Sequence, residues 1–203
     1  MSKKSKKPKL YVSRELAKHA FGEVITRAAR LASFGASDKL VVESDISEKQ
    51  NLLALDDLLI FSIQARRLID SAEMSKTARS VMVPLWSCVL EQDLYRYFES
   101  NRTINFWKFL NAVIHSADIQ LVRTQFQTAL MLKRPEEDVV ETFVKYHRKG
   151  SFRPKCFVIT DRREVFVLDL AQVVEIFDQL VLVKVLDYWH EKRLFLGVDY
   201  ESD

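Results

Sequence analysis

The sequence predicts a mainly α-helical protein, in which an antiparallel helical bundle is followed by a small antiparallel β element and a C-terminal helix. Three observations support this fold class. Only 4 of the 203 residues are glycine and 4 are proline, which leaves few residues for the turns of an all-β fold. Apolar residues recur at helical spacing along most of the chain. A short segment near the end instead has the pattern of a β-hairpin.

Composition indicates one folded domain with a basic tail. Hydrophobic residues make up 48% of the chain and charged residues 29%, which is typical of a globular protein. The net charge of +3 becomes −2 once the five lysines of the first nine residues are set aside. We therefore expect residues 1–12 to form a disordered, lysine-rich tail that attracts polyanions weakly, and residues 13–203 to form a single domain.

Helical periodicity and capping residues define the elements of the first part of the domain. The predicted helices cover residues 14–34, 51–72, 75–99 and 104–117, and a polar loop covers 35–50. Ser13 and Thr103 are the predicted N-caps of the first and fourth helices, and Gly35 is the predicted end of the first. Pro84 falls inside the third helix, so it either kinks that helix or starts a new one.

The pattern changes in the second part of the domain. Residues 119–132 fit either a strand or a helix, and we favour a short strand at 119–123. The later predicted elements are a helix from Pro135 to about Gly150, a β-hairpin of 156–160 and 164–168, and a last helix over 170–191 capped by Asp169 with Gln172. The hairpin and the closing helix thus occupy about 155–191.

Several classes of chemistry are not expected. The sequence contains no glycine-rich phosphate loop, no dinucleotide fingerprint and no serine-hydrolase or zinc-peptidase motif, so we expect no cofactor. Cys88 and Cys156 lie far apart, which favours a reduced cytoplasmic setting without a metal site. Asp56 and Asp57 could suggest a metal pair, but adjacent helical residues point about 100° apart and do not chelate one ion together, so both are expected to be surface charges. No apolar run approaches the ~18 residues that a membrane span needs.

The main candidate site lies on the fourth predicted helix. Lys108, Asn111 and His115 are spaced i, i+3 and i+7, so they share one helix face. An imidazole beside a cation can transfer a proton near neutral pH and stabilise negative charge on a phosphate. The alternative is an ordinary polar face that contacts only solvent or a neighbouring loop.

Two pairs of arginines are candidate nucleic-acid contacts. Arg66 and Arg67 lie on the second predicted helix, and Arg162 and Arg163 lie in the turn of the hairpin. Either pair is suited to contact phosphate groups. The alternative for both pairs is solvated surface charge.

The helical organisation, with Asn-Ala-Val-Ile-His at 111–115 on a late helix, resembles the HEPN superfamily, whose members include prokaryotic toxin and defence ribonucleases. The resemblance covers about residues 51–185. The segment CFVITDRREVFVLDLAQVVEIF also resembles the hairpin and helix of uncharacterised bacterial HEPN-like proteins. The motif of the family is an arginine, a polar residue, and a histidine four positions after the polar residue. Asn111 and His115 match its last two positions, and Leu110 replaces the arginine.

The resemblance implies an RNA-directed protein that forms a homodimer, with the motif helices facing a shared cleft. Because Leu110 replaces the arginine, and because Lys108 lacks a guanidinium fork, we favour a non-catalytic module that binds RNA or a protein partner in a bacterial defence or toxin-type context. The alternative is a metal-independent endoribonuclease that uses Asn111, His115 and Lys108. Wide apolar helices and three tryptophans also favour a homodimer.

Overall fold

The structure, a computed structural model, describes residues 14–36, 45–91, 94–122, 155–162 and 164–191. Within these ranges the chain is mostly helical and its strands are antiparallel. The helices are α1 (Arg14–Gly35), α2 (Asp45–Ser71), α3 (Ser75–Ser80), α4 (Phe106–Ile114), α5 (Leu170–Ile176) and α6 (Val183–Glu191), and a π-helical segment (Phe177–Leu182) joins α5 to α6. The strands are β1 (Met82–Glu91), β2 (Leu94–Asn105), β3 (Ser116–Val122), β4 (Lys155–Thr160) and β5 (Val165–Asp169). The predicted lysine-rich tail and the helix expected from Pro135 lie outside the described residues.

The described strands form one five-stranded sheet in the order β2-β1-β5-β4-β3. Pairing of β1 with β5 joins the β1–β2 hairpin to the β4–β5 hairpin, and β3 pairs with the other side of β4. Strand β3 confirms the strand predicted at 119–123, and β4 and β5 confirm the predicted hairpin. The sheet is larger than the small β element that the sequence predicts, because β1 and β2 occupy residues predicted as helix.

The helix predicted over 75–99 is wrong beyond Ser80, where α3 ends and β1 soon follows. From Val81 to Leu85, buried and exposed side chains alternate, which is the period of a half-buried strand. Pro84 lies opposite Thr103 of β2, at a position where β1 has no pairing to β5. A proline is tolerated there because its missing N–H removes no hydrogen bond between β1 and β5.

The ends of two other helices differ from the predictions. Helix α2 begins at Asp45, earlier than predicted. The sequence does not predict its first turns because they are polar and show no apolar period. Thr103 is not the N-cap of α4, since it lies in β2. The cap is Asn105, whose side-chain oxygen accepts a hydrogen bond from the backbone N–H of Lys108 at 2.8 Å.

The predicted cap of the closing helix is confirmed. The carboxylate of Asp169 accepts a hydrogen bond from the backbone N–H of Gln172 at 3.2 Å. The helix itself is continuous over 170–191, but its middle is π-helical rather than α-helical. The spacing of apolar residues does not distinguish a helix with one π-helical insertion from a regular α-helix, so the sequence predicts only an uninterrupted helix.

Helix α4 lies between other helices and the sheet. It contacts α2 and α3 as well as β1, β2, β3 and β4. The ring of Phe177, from the π-helical segment, lies with its centroid 5.1 Å from that of Phe61 on α2 and 5.9 Å from that of Phe106 on α4. These aromatic contacts hold α2, α4 and the closing helix together, and so fix the spacing between the two helices that carry the candidate site.

Gly35, at the end of α1, lies against the beginning of α5. A Cβ atom at this position would be 2.7 Å from the backbone nitrogen of Ala171. Gly22, in the middle of α1, has nothing within 4 Å of the equivalent position. Close approach of two helices therefore requires glycine at position 35 but not at position 22.

We expect Gly35→Ala to lower the free energy of unfolding by about 1–3 kcal/mol, because the backbone of Ala171 must move to accept the methyl group. Gly22→Ala is the matched control, and we expect it to raise the same free energy by about 0.5–1 kcal/mol, since alanine is the better helix former. Urea unfolding followed by circular dichroism measures both. Equal effects of the two substitutions would contradict the close packing of α1 on α5.

Candidate functional site

Helix α4 directs an apolar face into the core. Phe106, Phe109, Leu110 and Val113 are all buried, and Leu110 is 0% exposed. A side chain at position 110 therefore packs in the core instead of reaching a ligand. An arginine at this position, which the HEPN resemblance would lead one to expect, would be buried, so leucine agrees with the packing.

Asn111 and His115 lie on the other side of α4. Asn111 is half-buried, and His115 is the exposed C-cap residue of the helix. The backbone N–H of His115 donates to the carbonyl oxygen of Asn111 at 3.0 Å, so the two residues are fixed one helical turn apart. Neither side chain is fully buried, and the functional role of both residues stays a prediction.

An arginine from α2 reaches Asn111. The Nη1 atom of Arg66 donates a hydrogen bond to the side-chain oxygen of Asn111 at 2.6 Å. The two residues are 45 positions apart in the sequence and are brought together by the packing of α2 on α4. The structure thus places a guanidinium beside Asn111, although position 110 has none.

Trp107 completes this group. The guanidinium carbon of Arg66 lies 5.1 Å from the centroid of the indole ring, and that of Arg79 on α3 lies 5.9 Å from it. A tryptophan face attracts guanidinium groups electrostatically, which helps to hold two like charges near each other. We call Arg66, Arg79, Trp107 and Asn111 the arginine–tryptophan cluster.

An acidic residue lies at the edge of the cluster. Partial desolvation raises the pKa of Asp70, on α2, above its ordinary value, and the positive charge of Arg66 opposes that rise. The carboxylate of Asp70 partly offsets the charge of Arg66. Its removal is therefore expected to make the cluster more attractive to anions.

His115 lies at the same end of the sheet as the hairpin turn. Ser116, the residue after it, pairs with Thr160, and Thr160 is followed directly by the turn that contains Arg162. Arg162 is exposed. His115 and Arg162 thus lie at the same end of the β3–β4 pair, whereas Arg163 lies outside the described residues.

Lys108 and Arg67 have other neighbours. The Nζ atom of Lys108 lies 6.0 Å from the centroid of the Phe166 ring on β5. The Nη1 atom of Arg67 donates to the side-chain oxygen of Gln64 at 3.4 Å. Of the residues that the sequence proposes for the site, the structure therefore joins Arg66 to Asn111 directly and directs Lys108 and Arg67 elsewhere.

The expectation that Asp57 is a surface charge is wrong. Asp57 is 6% exposed, and its carboxylate accepts a hydrogen bond from Nη1 of Arg27 on α1 at 2.6 Å. This hydrogen bond is the main cause of the raised pKa of Arg27. Asp56 is 61% exposed, as expected. Asp57 thus links α1 to α2, and the local sequence pattern does not reveal such a long-range contact.

The described residues provide little for metal or thiol chemistry. Within them, no group of three or more His, Cys, Asp or Glu side chains is arranged to hold a metal ion. Burial raises the pKa of the Cys156 thiol far above its ordinary value, which keeps the thiol protonated and unreactive. Among the helices that the structure describes, none is long and apolar enough to cross a membrane.

Arg79, Asp70 and the polar environment of Trp107 are not predicted from the sequence. Trp107 precedes Asn111 by four residues, so the helical repeat places both on one face, and this spacing is a usable signal. Arg79 belongs to a separate short helix. Its approach to Trp107 depends on the packing of α3 on α4, which no local pattern indicates.

Comparisons with protein-family models, with curated proteins and with solved structures gave no significant match in any of the three. The HEPN-like assignment therefore stays a prediction from the sequence.

Proposed function

We propose that the chain is a non-catalytic RNA-binding module and that the arginine–tryptophan cluster is part of its RNA contact. The observation that carries the proposal is the position of Arg66, which is 2.6 Å from Asn111 and over the ring of Trp107. One of its five N–H donors is used by Asn111, and the fork geometry of the remaining donors suits a phosphate group.

RNA is favoured over a protein partner by the chemistry of the cluster. Two guanidinium groups, one indole ring and one amide lie within a small area formed by α2, α3 and α4. Arginine planes and aromatic rings bind unstacked bases, and arginines bind the phosphates between them. The lysine-rich tail adds attraction for polyanions without sequence preference. We place this activity in the cytoplasm, in a bacterial defence or toxin-type context.

Binding and cleavage of a labelled single-stranded RNA, measured together in the presence of EDTA, test the proposal. We expect the purified chain to bind the RNA, to lose affinity as salt is raised, and to leave the RNA intact. Absence of binding at low salt, together with specific capture of a protein partner, would replace RNA by protein as the ligand.

The second candidate function is a metal-independent endoribonuclease that uses Asn111 and His115. The observation that favours it is the same Arg66, because its guanidinium supplies beside Asn111 the charge that Leu110 cannot supply. In that case the RNA is cleaved in EDTA, and His115→Ala lowers the rate at least ~100-fold, as expected when a general acid or base is removed. The same variant should cost about 1 kcal/mol or less in stability, since His115 is exposed.

A further inference from the structure

The outer face of α2 carries an apolar stripe. Leu52, Leu53 and Leu59 are 58%, 63% and 38% exposed, and Ile60 and Ile63 are half-buried beside them. On a helix these positions fall within one face, opposite to the buried residues Leu58, Phe61, Ala65 and Leu68. A cluster of exposed leucines on one helix face indicates a contact surface.

Two opposite charges lie on the same face, one within the stripe and one beyond its C-terminal end. Asp56 and Arg67 are both exposed and lie three helical turns apart on the same face as Leu59 and Ile63. If two α2 helices pack antiparallel about a two-fold axis midway between these charges, Asp56 of each copy faces Arg67 of the other. Leu59, Ile60 and Ile63 then surround the axis.

The charges also select this arrangement over its neighbours. A two-fold axis at Asp56 would bring the same carboxylate of the two copies together, at an unfavourable Coulomb energy. An axis midway between Asp56 and Arg67 gives two attractive pairs and an apolar centre. We infer that the outer face of α2 is the contact surface between two copies of this chain, with Leu59 and Ile63 at its centre and reciprocal Asp56–Arg67 pairs at its rim.

One helix pair makes a small interface, so the expected dissociation constant is micromolar. At high micromolar concentration, light scattering should give the full-length chain twice the monomer mass of 23.7 kDa. A mass of one chain under these conditions would overturn the inference. Another segment of the chain or another protein would then be the occupant of this face.

Charge exchange provides the sharper test. Asp56→Arg alone and Arg67→Asp alone each create two like-charge contacts, so each variant should be monomeric at the concentration where the unmodified chain is dimeric. When the two variants are mixed, both contacts become attractive again. The mixture should therefore form a heterodimer with the mass of two chains.

Circular dichroism and thermal unfolding of each variant check that the fold is kept, which matters because Asp56 also lies 4.0 Å from Arg27. If the Asp56 variant fails to fold, Leu59→Glu takes its place and should give a monomer. Leu180→Glu is the matched control, since Leu180 is 45% exposed on the closing helix and should not affect the dimer. The inference is overturned if the folded single variants remain dimeric, if their mixture stays monomeric, or if Leu180→Glu separates the copies.

Discussion

Replacement of Asp169 by alanine is expected to lower the free energy of unfolding by about 3–5 kcal/mol. The Asp169 carboxylate, at the end of β5, is buried and accepts a hydrogen bond from Nζ of Lys155 at 3.1 Å. The same carboxylate caps α5 through the N–H of Gln172. Alanine removes the charge paired with a lysine that is only 4% exposed, and it removes the cap as well.

Two further variants separate the ion pair from the cap. Asp169→Asn keeps a capping side chain and loses the charge, so it should remain clearly destabilised. Adding Lys155→Met to Asp169→Asn removes the ammonium too, and we expect the double variant to recover part of the loss, because no buried ammonium then remains beside the neutral side chain at position 169. Urea unfolding gives the three free energies. If Asp169→Ala costs less than about 1 kcal/mol, this pair does not stabilise the junction of β5 and α5.

Replacement of Arg66 by alanine is expected to weaken RNA binding by about tenfold or more, which corresponds to about 1.4 kcal/mol. A hydrogen bond between a guanidinium and a phosphate contributes about 1.5–3 kcal/mol, so the loss of one such contact is sufficient. Arg66→Lys keeps the charge without the fork, and it should show an intermediate affinity. Fluorescence anisotropy of a labelled single-stranded RNA measures all of these affinities.

Two control variants make this test specific to the cluster. Lys184→Ala removes one positive charge from an exposed position on α6, and we expect less than about a twofold change in affinity, as for a general electrostatic effect. Asp70→Asn removes the carboxylate beside Arg66 and should strengthen binding. Equal losses for Arg66→Ala and Lys184→Ala would mean that only total charge matters and that the cluster is not the contact.

Local pattern was sufficient to predict the elements that depend on it. The closing helix with its Asp169 cap and the hairpin from 156 to 168 have a clear period or a capping signature in the sequence, whereas the segment of β3 fits either a strand or a helix. Helix α4 was found for the same reason, because its buried residues recur at helical spacing. Its N-cap was misassigned to Thr103 because the capping side chain comes from Asn105, at the junction with β2.

The sheet and the cluster depend on contacts that local pattern does not contain. From Val81 to Leu85 the burial of the side chains alternates in the structure, but the residues themselves do not alternate between apolar and polar. Pro84 within this segment favours an interrupted helix until the pairing with β2 is known. Likewise, Arg66 was predicted as a general phosphate contact, whereas its neighbours Asn111, Trp107 and Arg79 come from two other helices. Such arrangements follow from tertiary packing and could not be predicted from one sequence.

Photocrosslinking of bound RNA to the full-length chain tests the central claim most directly, because it locates the contact on the chain. Trypsin releases Trp107 in a peptide that covers residues 103–108, and the lysines of the tail are released in separate fragments. If the cluster is the contact, we expect crosslinked nucleotide on the 103–108 peptide, with a strong decrease in the Arg66→Ala variant at the same RNA concentration. Crosslinks confined to the tail or to other surfaces, with none on 103–108, would contradict it.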